Sequence, residues 1–162
     1  MRTIIRGFVA GMFGTIGMAG VSFTMRRIIE PTSPIRPTHY EKVVVKARET
    51  LLPDAEPLDR DTQIRIGEAS HIGFGGLWGI VFALGMRNKE IRPLTHGIAL
   101  GTGVWALAFG GYMPMLDISK GIKDMDAYEA SRTFLCHVTH ASVTMLLIDQ
   151  MRDARRLSIG VG

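Results

Sequence analysis

The chain has 162 residues, 46% of them hydrophobic, with 19 glycines, a net charge of +4 and one cysteine. That length suits one domain, and the lone Cys136 excludes an intrachain disulfide or a CxxC metal or redox motif. The basic excess flanks apolar runs instead of forming a patch, so it fits anionic lipid headgroups and not nucleic acid.

The first run, 7–25, is GFVAGMFGTIGMAGVSFTM. It carries no charge and is bracketed by Arg2 and Arg6 before it and Arg26 and Arg27 after it. As a helix it would be about 28 Å long, close to the hydrocarbon thickness of a bilayer. It is longer than a signal-peptide core and ends in two arginines, so we read it as a retained span. Its glycines, Gly11 and Gly14 among them, predict close helix packing. The helix should reach Ile29 and stop before Pro31, and the segment PTSPIRP (31–37) should be non-helical.

Thr38 with Glu41 three residues on forms a capping-box signal for a helix over 38–52. Tyr40, Val43, Val44, Ala47 and Leu51 make one apolar stripe, with Glu41, Lys42, Lys46, Arg48 and Glu49 elsewhere. This amphipathic helix is too charged to span and should lie on the membrane surface or cap the bundle. Asp59 or Asp61 should cap the helix leading into a second span, 70–86, where Gly75, Gly79 and Ala83 share a face. The third span, 96–116, carries small-residue ridges through Ala99 and Gly103 and through Ala106 and Gly110, and Pro114 should kink or end it. The fourth, 133–148, is the most polar. The expected fold is therefore all-α, a single polytopic membrane domain over 1–162 with four spans and one surface helix.

Orientation follows from basic residues beside the spans. The amino tail has Arg2 and Arg6, the turn after the second span has Arg87, Lys89 and Arg92, and the carboxyl tail has Arg152, Arg155 and Arg156. The 117–132 loop is net negative. Both termini are expected in the cytoplasm, although Arg26 and Arg27 oppose this.

His137 and His140 stand one turn apart on the fourth span and share a polar stripe with Thr133, Cys136 and Thr144. His71 opens the second span on the same side as His137. Two imidazoles from facing helices are suited to haem or a divalent metal, and one suffices for a magnesium porphyrin. The alternative is that these side chains make interhelical hydrogen bonds or handle protons. His39 and His96 lie outside the spans. No HExxH, phosphate-binding loop or dinucleotide fingerprint is present, and no nucleophile has a visible base.

Ser70 and His71 with FGGLWGIVFAL, then HGIALGTGVWALAFGGYMPML, then FLCHVTHASVTMLLIDQMRDARR, resemble the YagU-like inner-membrane proteins of bacteria. The shared marks fall on His71, Pro114 and His137, and PTSP after the first span is also similar. The resemblance implies four helices in a bacterial cytoplasmic membrane and supplies no reaction. His140 and the charged helix near 39–52 are not among its marks.

The leading expectation is a non-catalytic accessory, scaffold or stress-related membrane protein without a cofactor. It would pack through Gly11, Gly14, Gly75, Gly79 and Gly103 against other subunits or copies of itself and against membrane lipids. The alternatives are a haem-, pigment- or metal-binding subunit using His71, His137 and His140, and a small oligomeric channel or transporter.

Overall fold

The computed structural model describes residues 1–29 and 38–159, with side chains through 153. Six α-helices follow one another: α1 (Arg2–Ile29), α2 (His39–Leu51), α3 (Arg60–Gly85), α4 (Pro93–Leu107), α5 (Met113–Met115) and α6 (Ala127–Ile159). A π-turn, Ala108–Tyr112, joins α4 to α5, and a 3₁₀ turn, Ile122–Asp124, precedes α6. The described residues contain no strand, so the fold is all-α. The proline-rich segment 31–37 lies outside the described residues.

Local chemistry sets the boundaries. The Thr38 hydroxyl accepts from the Glu41 amide and donates to Glu41 Oε1, forming the start of α2. The Asp59 carboxylate accepts from the Thr62 amide at 2.9 Å and the Thr62 hydroxyl at 2.6 Å, which starts α3 and holds this carboxyl below its usual range. Pro114 does not break its helix at once. Its missing N–H and its ring are accommodated by the π-turn immediately upstream, and the chain leaves the helix only at Leu116.

The long helices pack as an antiparallel row in which α3 lies against α1, α1 against α6, and α6 against α4. Glycines make these seams. A methyl group at Gly79 would meet the Gly11 Cα at 2.8 Å, and one at Gly7 would meet the Gly79 carbonyl oxygen at 2.6 Å. Gly11 meets the Gly75 backbone in the same way, and Gly14 meets the His140 carbonyl at 2.6 Å. These backbones approach as only glycine permits.

Gly103 does not belong to a seam: no atom lies within 4 Å of a methyl built there. The packing glycines of α4 are Gly97, against Ser142, and Gly101, against Val138. Those two lie on the opposite ridge from Gly103.

The face of α2 is also rotated from expectation. Glu41 and Val44 are buried against α3, whereas Ala47 and Leu51, expected in the apolar stripe, are exposed. The reason is Arg60 at the start of α3, which forms an ion pair with Glu41 and so allows a carboxylate on the packed face.

Among the described residues two helical stretches are long and apolar enough to cross a membrane, Arg2–Ile29 and Pro93–Met115. α3 starts ten residues before the expected span 70–86, as the Asp59 cap implies, and α6 extends the expected 133–148 at both ends, from Ala127 to Ile159.

Candidate functional site

Of the polar stripe expected on the last helix, Thr133, Cys136, His140 and Thr144 are buried and His137 is half-buried. Most of their polar atoms find a partner on a neighbouring turn or helix. Thr133 accepts from the Trp105 indole at 3.0 Å and donates to backbone carbonyls of its own preceding turn. Cys136 Sγ lies 3.6 Å from the Met18 carbonyl oxygen of α1.

Hydrogen bonds fix the tautomers of the two interior histidines. His137 Nδ1 lies 2.8 Å from the Thr133 carbonyl oxygen, which only accepts, so Nδ1 carries the proton and Nε2 the lone pair. Thr15 commits its hydroxyl hydrogen to the Gly11 carbonyl at 3.0 Å. Its oxygen therefore accepts from His140 Nδ1 at 3.4 Å. His140 Nε2 is left as a lone pair, buried and without a protein partner.

An aromatic ring stands beside each of His71 and His137. His71 stacks on Tyr40 of α2 with ring centroids 4.7 Å apart. Phe109, placed by the π-turn and 2% exposed, meets His137 edge-on at 5.7 Å and His39 at 5.3 Å. His39 Nε2 shares a hydrogen bond with the Ser119 hydroxyl at 3.1 Å and lies 3.5 Å from Glu129 Oε1. Burial pushes the His39 imidazole down to about 4, with Arg132, Lys42 and His137 adding to the effect. At 3.5 Å Glu129 does not offset these, so His39 is neutral at pH 7.

α2 thus closes one end of the helix row over a set of imidazoles contributed by α2, α3 and α6. Thr15 and Phe109 escaped the sequence reading, which placed Tyr40 only in the apolar stripe of α2. Thr15 had a signal, since it is a polar residue midway along the uncharged 7–25 run. His96 stands apart, bonded to the Arg92 backbone at the start of α4.

The fit to a cofactor is uneven. Among the described residues no group of three or more His, Cys, Asp or Glu is placed to hold a metal ion. Around His140 the helices are tight: a methyl at Gly75 would meet His140 Cε1 at 3.1 Å. That leaves no slot for a porphyrin edge there. With its Nδ1 proton on the Thr133 carbonyl, His137 keeps its lone pair on Nε2.

A cleft of ≈ 450 Å³ lies elsewhere, between α2, the start of α3 and the turn at Asp117 and Ile118. Comparison with known proteins adds no constraint, because no family model, curated protein or solved structure matches the chain.

Proposed function

We propose that the protein is a non-catalytic, multi-pass membrane protein, with α1, α3, α4 with its extension, and α6 as four spans and α2 at the surface. One observation carries this reading. Large apolar side chains cover the outside of the bundle, while several polar ones are held inside it among apolar neighbours. Thr15, Thr144 and His140 are buried, while Phe13, Ile16, Phe74, Leu77, Val81, Ile98, Leu107 and Leu146 are exposed around the bundle. Glycine seams with buried Thr and His hydrogen bonds are the means by which helices associate where hydrophobic burial offers nothing. The resemblance to the YagU-like proteins agrees with four spans in a bacterial cytoplasmic membrane.

The test is alkaline carbonate extraction followed by topology reporters. The protein should stay in the membrane pellet. Fusions after residues 90 and 156 should read cytoplasmic, and one near residue 57 external. Release into the carbonate supernatant would end the reading, and the opposite reporter pattern would invert the topology.

A second reading, a haem-, pigment- or metal-binding subunit, is favoured by the lone pairs of His137 Nε2 and His140 Nε2. A Soret band or stoichiometric metal in protein purified in mild detergent would raise it above the first.

A further inference from the structure

The ≈ 450 Å³ cleft under α2 is lined by charges of both signs. Lys42, Lys46 and Glu49 line it from α2, and Asp117 lines it from the turn that ends α5, with Ile118 and Val45 supplying apolar wall. Among the described residues none of Lys42, Lys46, Glu49 and Asp117 is in an ion pair with another residue. The one formal pair at the cleft, Glu41 with Arg60, is already satisfied. Two cations one helical turn apart therefore share an open cleft with two carboxylates, with none of the four neutralised.

Asp117 adds a second observation. Its φ is +56°, and it is the one non-glycine residue with positive φ among those described. The turn is a helix end of the Schellman type: the Ile118 amide donates to the Met113 carbonyl at 3.0 Å and the Asp117 amide to the Pro114 carbonyl at 3.1 Å. Glycine is the least strained residue at that position. An aspartate stands there instead, one of the few side chains that tolerate this conformation, and it places a carboxylate at the cleft.

The depth of the cleft points to its occupant. Met115 and Leu116, 84% and 50% exposed, immediately precede Asp117 and end the stretch Pro93–Met115, which is long and apolar enough to cross a bilayer. On the membrane reading above, on which this inference rests, that puts the cleft at the level of lipid headgroups, with apolar side chains below for acyl chains.

We propose that this cleft binds the headgroup of an ethanolamine phospholipid. The phosphate would sit between Lys42 and Lys46, and the primary ammonium would be met by the Asp117 carboxylate, which has lone pairs for its N–H donors. A choline headgroup has no N–H to donate, and a glycerol headgroup has no cation for Asp117. The site therefore discriminates by the amine as well as by the phosphate.

The test is native mass spectrometry of the delipidated full chain in detergent, titrated with phosphatidylethanolamine, phosphatidylcholine or phosphatidylglycerol of one acyl composition. Ethanolamine lipid should bind about tenfold more tightly than choline lipid, the scale of one charge-assisted contact. Asp117→Asn keeps a residue that tolerates positive φ and should abolish the preference while leaving the thermal midpoint unchanged. The double variant Lys42→Gln, Lys46→Gln should weaken binding of all three lipids. Equal binding of the three lipids by wild type, or an intact preference in Asp117→Asn, overturns the proposal. So does saturation by soluble glycerophosphoethanolamine at the concentrations where the lipid binds, since the source would then be a free headgroup. Failure here in protein that resists carbonate extraction removes the cleft assignment alone. Protein that is soluble without detergent removes the membrane reading as well.

Discussion

Thr15 on α1 and His140 on α6, 125 residues apart in the chain, share one hydrogen bond in the bundle interior. Because the Thr15 hydroxyl hydrogen goes to Gly11, that bond is accepted by Thr15 and donated by His140 Nδ1. One threonine thereby decides which face of a buried imidazole is bonded and which is left open.

Thr15→Val should cost about 1–3 kcal/mol, since it leaves a buried donor without its acceptor. Adding His140→Phe to Thr15→Val should cost less than the sum of the two single changes, because the double variant buries no orphaned donor. The check is a thermal double-mutant cycle in detergent. Strict additivity would show that the two side chains do not bond.

The seams predict opposite outcomes for two glycines. Gly79→Ala drives a methyl into the Gly7 and Gly11 backbone and should destabilise by about 1–3 kcal/mol. Gly103→Ala meets open space and should be neutral or stabilise by up to about 1 kcal/mol through helix propensity. Thermal midpoints in detergent measure both. Equal effects would dissolve the distinction between seam and open ridge.

His39 makes the docking of α2 sensitive to acid. Its pKa falls from 6.5 in the free chain to about 4 when docked. Between those values the undocked state binds more protons, so docking is at full strength above pH 6.5 and weakens as pH falls toward 4. The midpoint of wild type should drop over that window, and His39→Gln should flatten part of the slope. A wild-type midpoint that rises from pH 6.5 to pH 5 would contradict the assignment.

His137→Gln should remain folded. Its Nδ1–H bond to the Thr133 carbonyl is within its own helix, and interhelical side-chain bonds in membranes average about 0.6 kcal/mol. Circular dichroism and size-exclusion elution should match wild type. If wild type carries a chromophore or metal that this variant loses, the binding-subunit reading replaces the leading one.

Much of the helical layout was legible because its causes are local. Thr38 with Glu41 and Asp59 with Thr62 are capping pairs three residues apart, and the run 7–25 declares a helix by itself. The rest depends on partners distant in sequence. Gly97 with Gly101 and Ala99 with Gly103 have the same four-residue spacing on opposite ridges. Only the position of α6 decides which ridge meets protein. Glu41 looked like a solvated residue until Arg60 was found beside it. The π-turn that brings Phe109 between His39 and His137 has no mark in the sequence beyond Pro114 downstream.

α4 packs chiefly on α6, which is made last. The order of synthesis and the order of assembly therefore differ. α1 and α3 have each other as soon as α3 emerges, whereas α4, with Gly97 and Gly101 awaiting Val138 and Ser142, has no seat until some forty residues later. During that interval its small-residue ridge is open to any neighbouring helix. A chain halted in the 117–126 region would carry this ridge unmatched, and such truncated products should be the ones that quality-control proteases remove first.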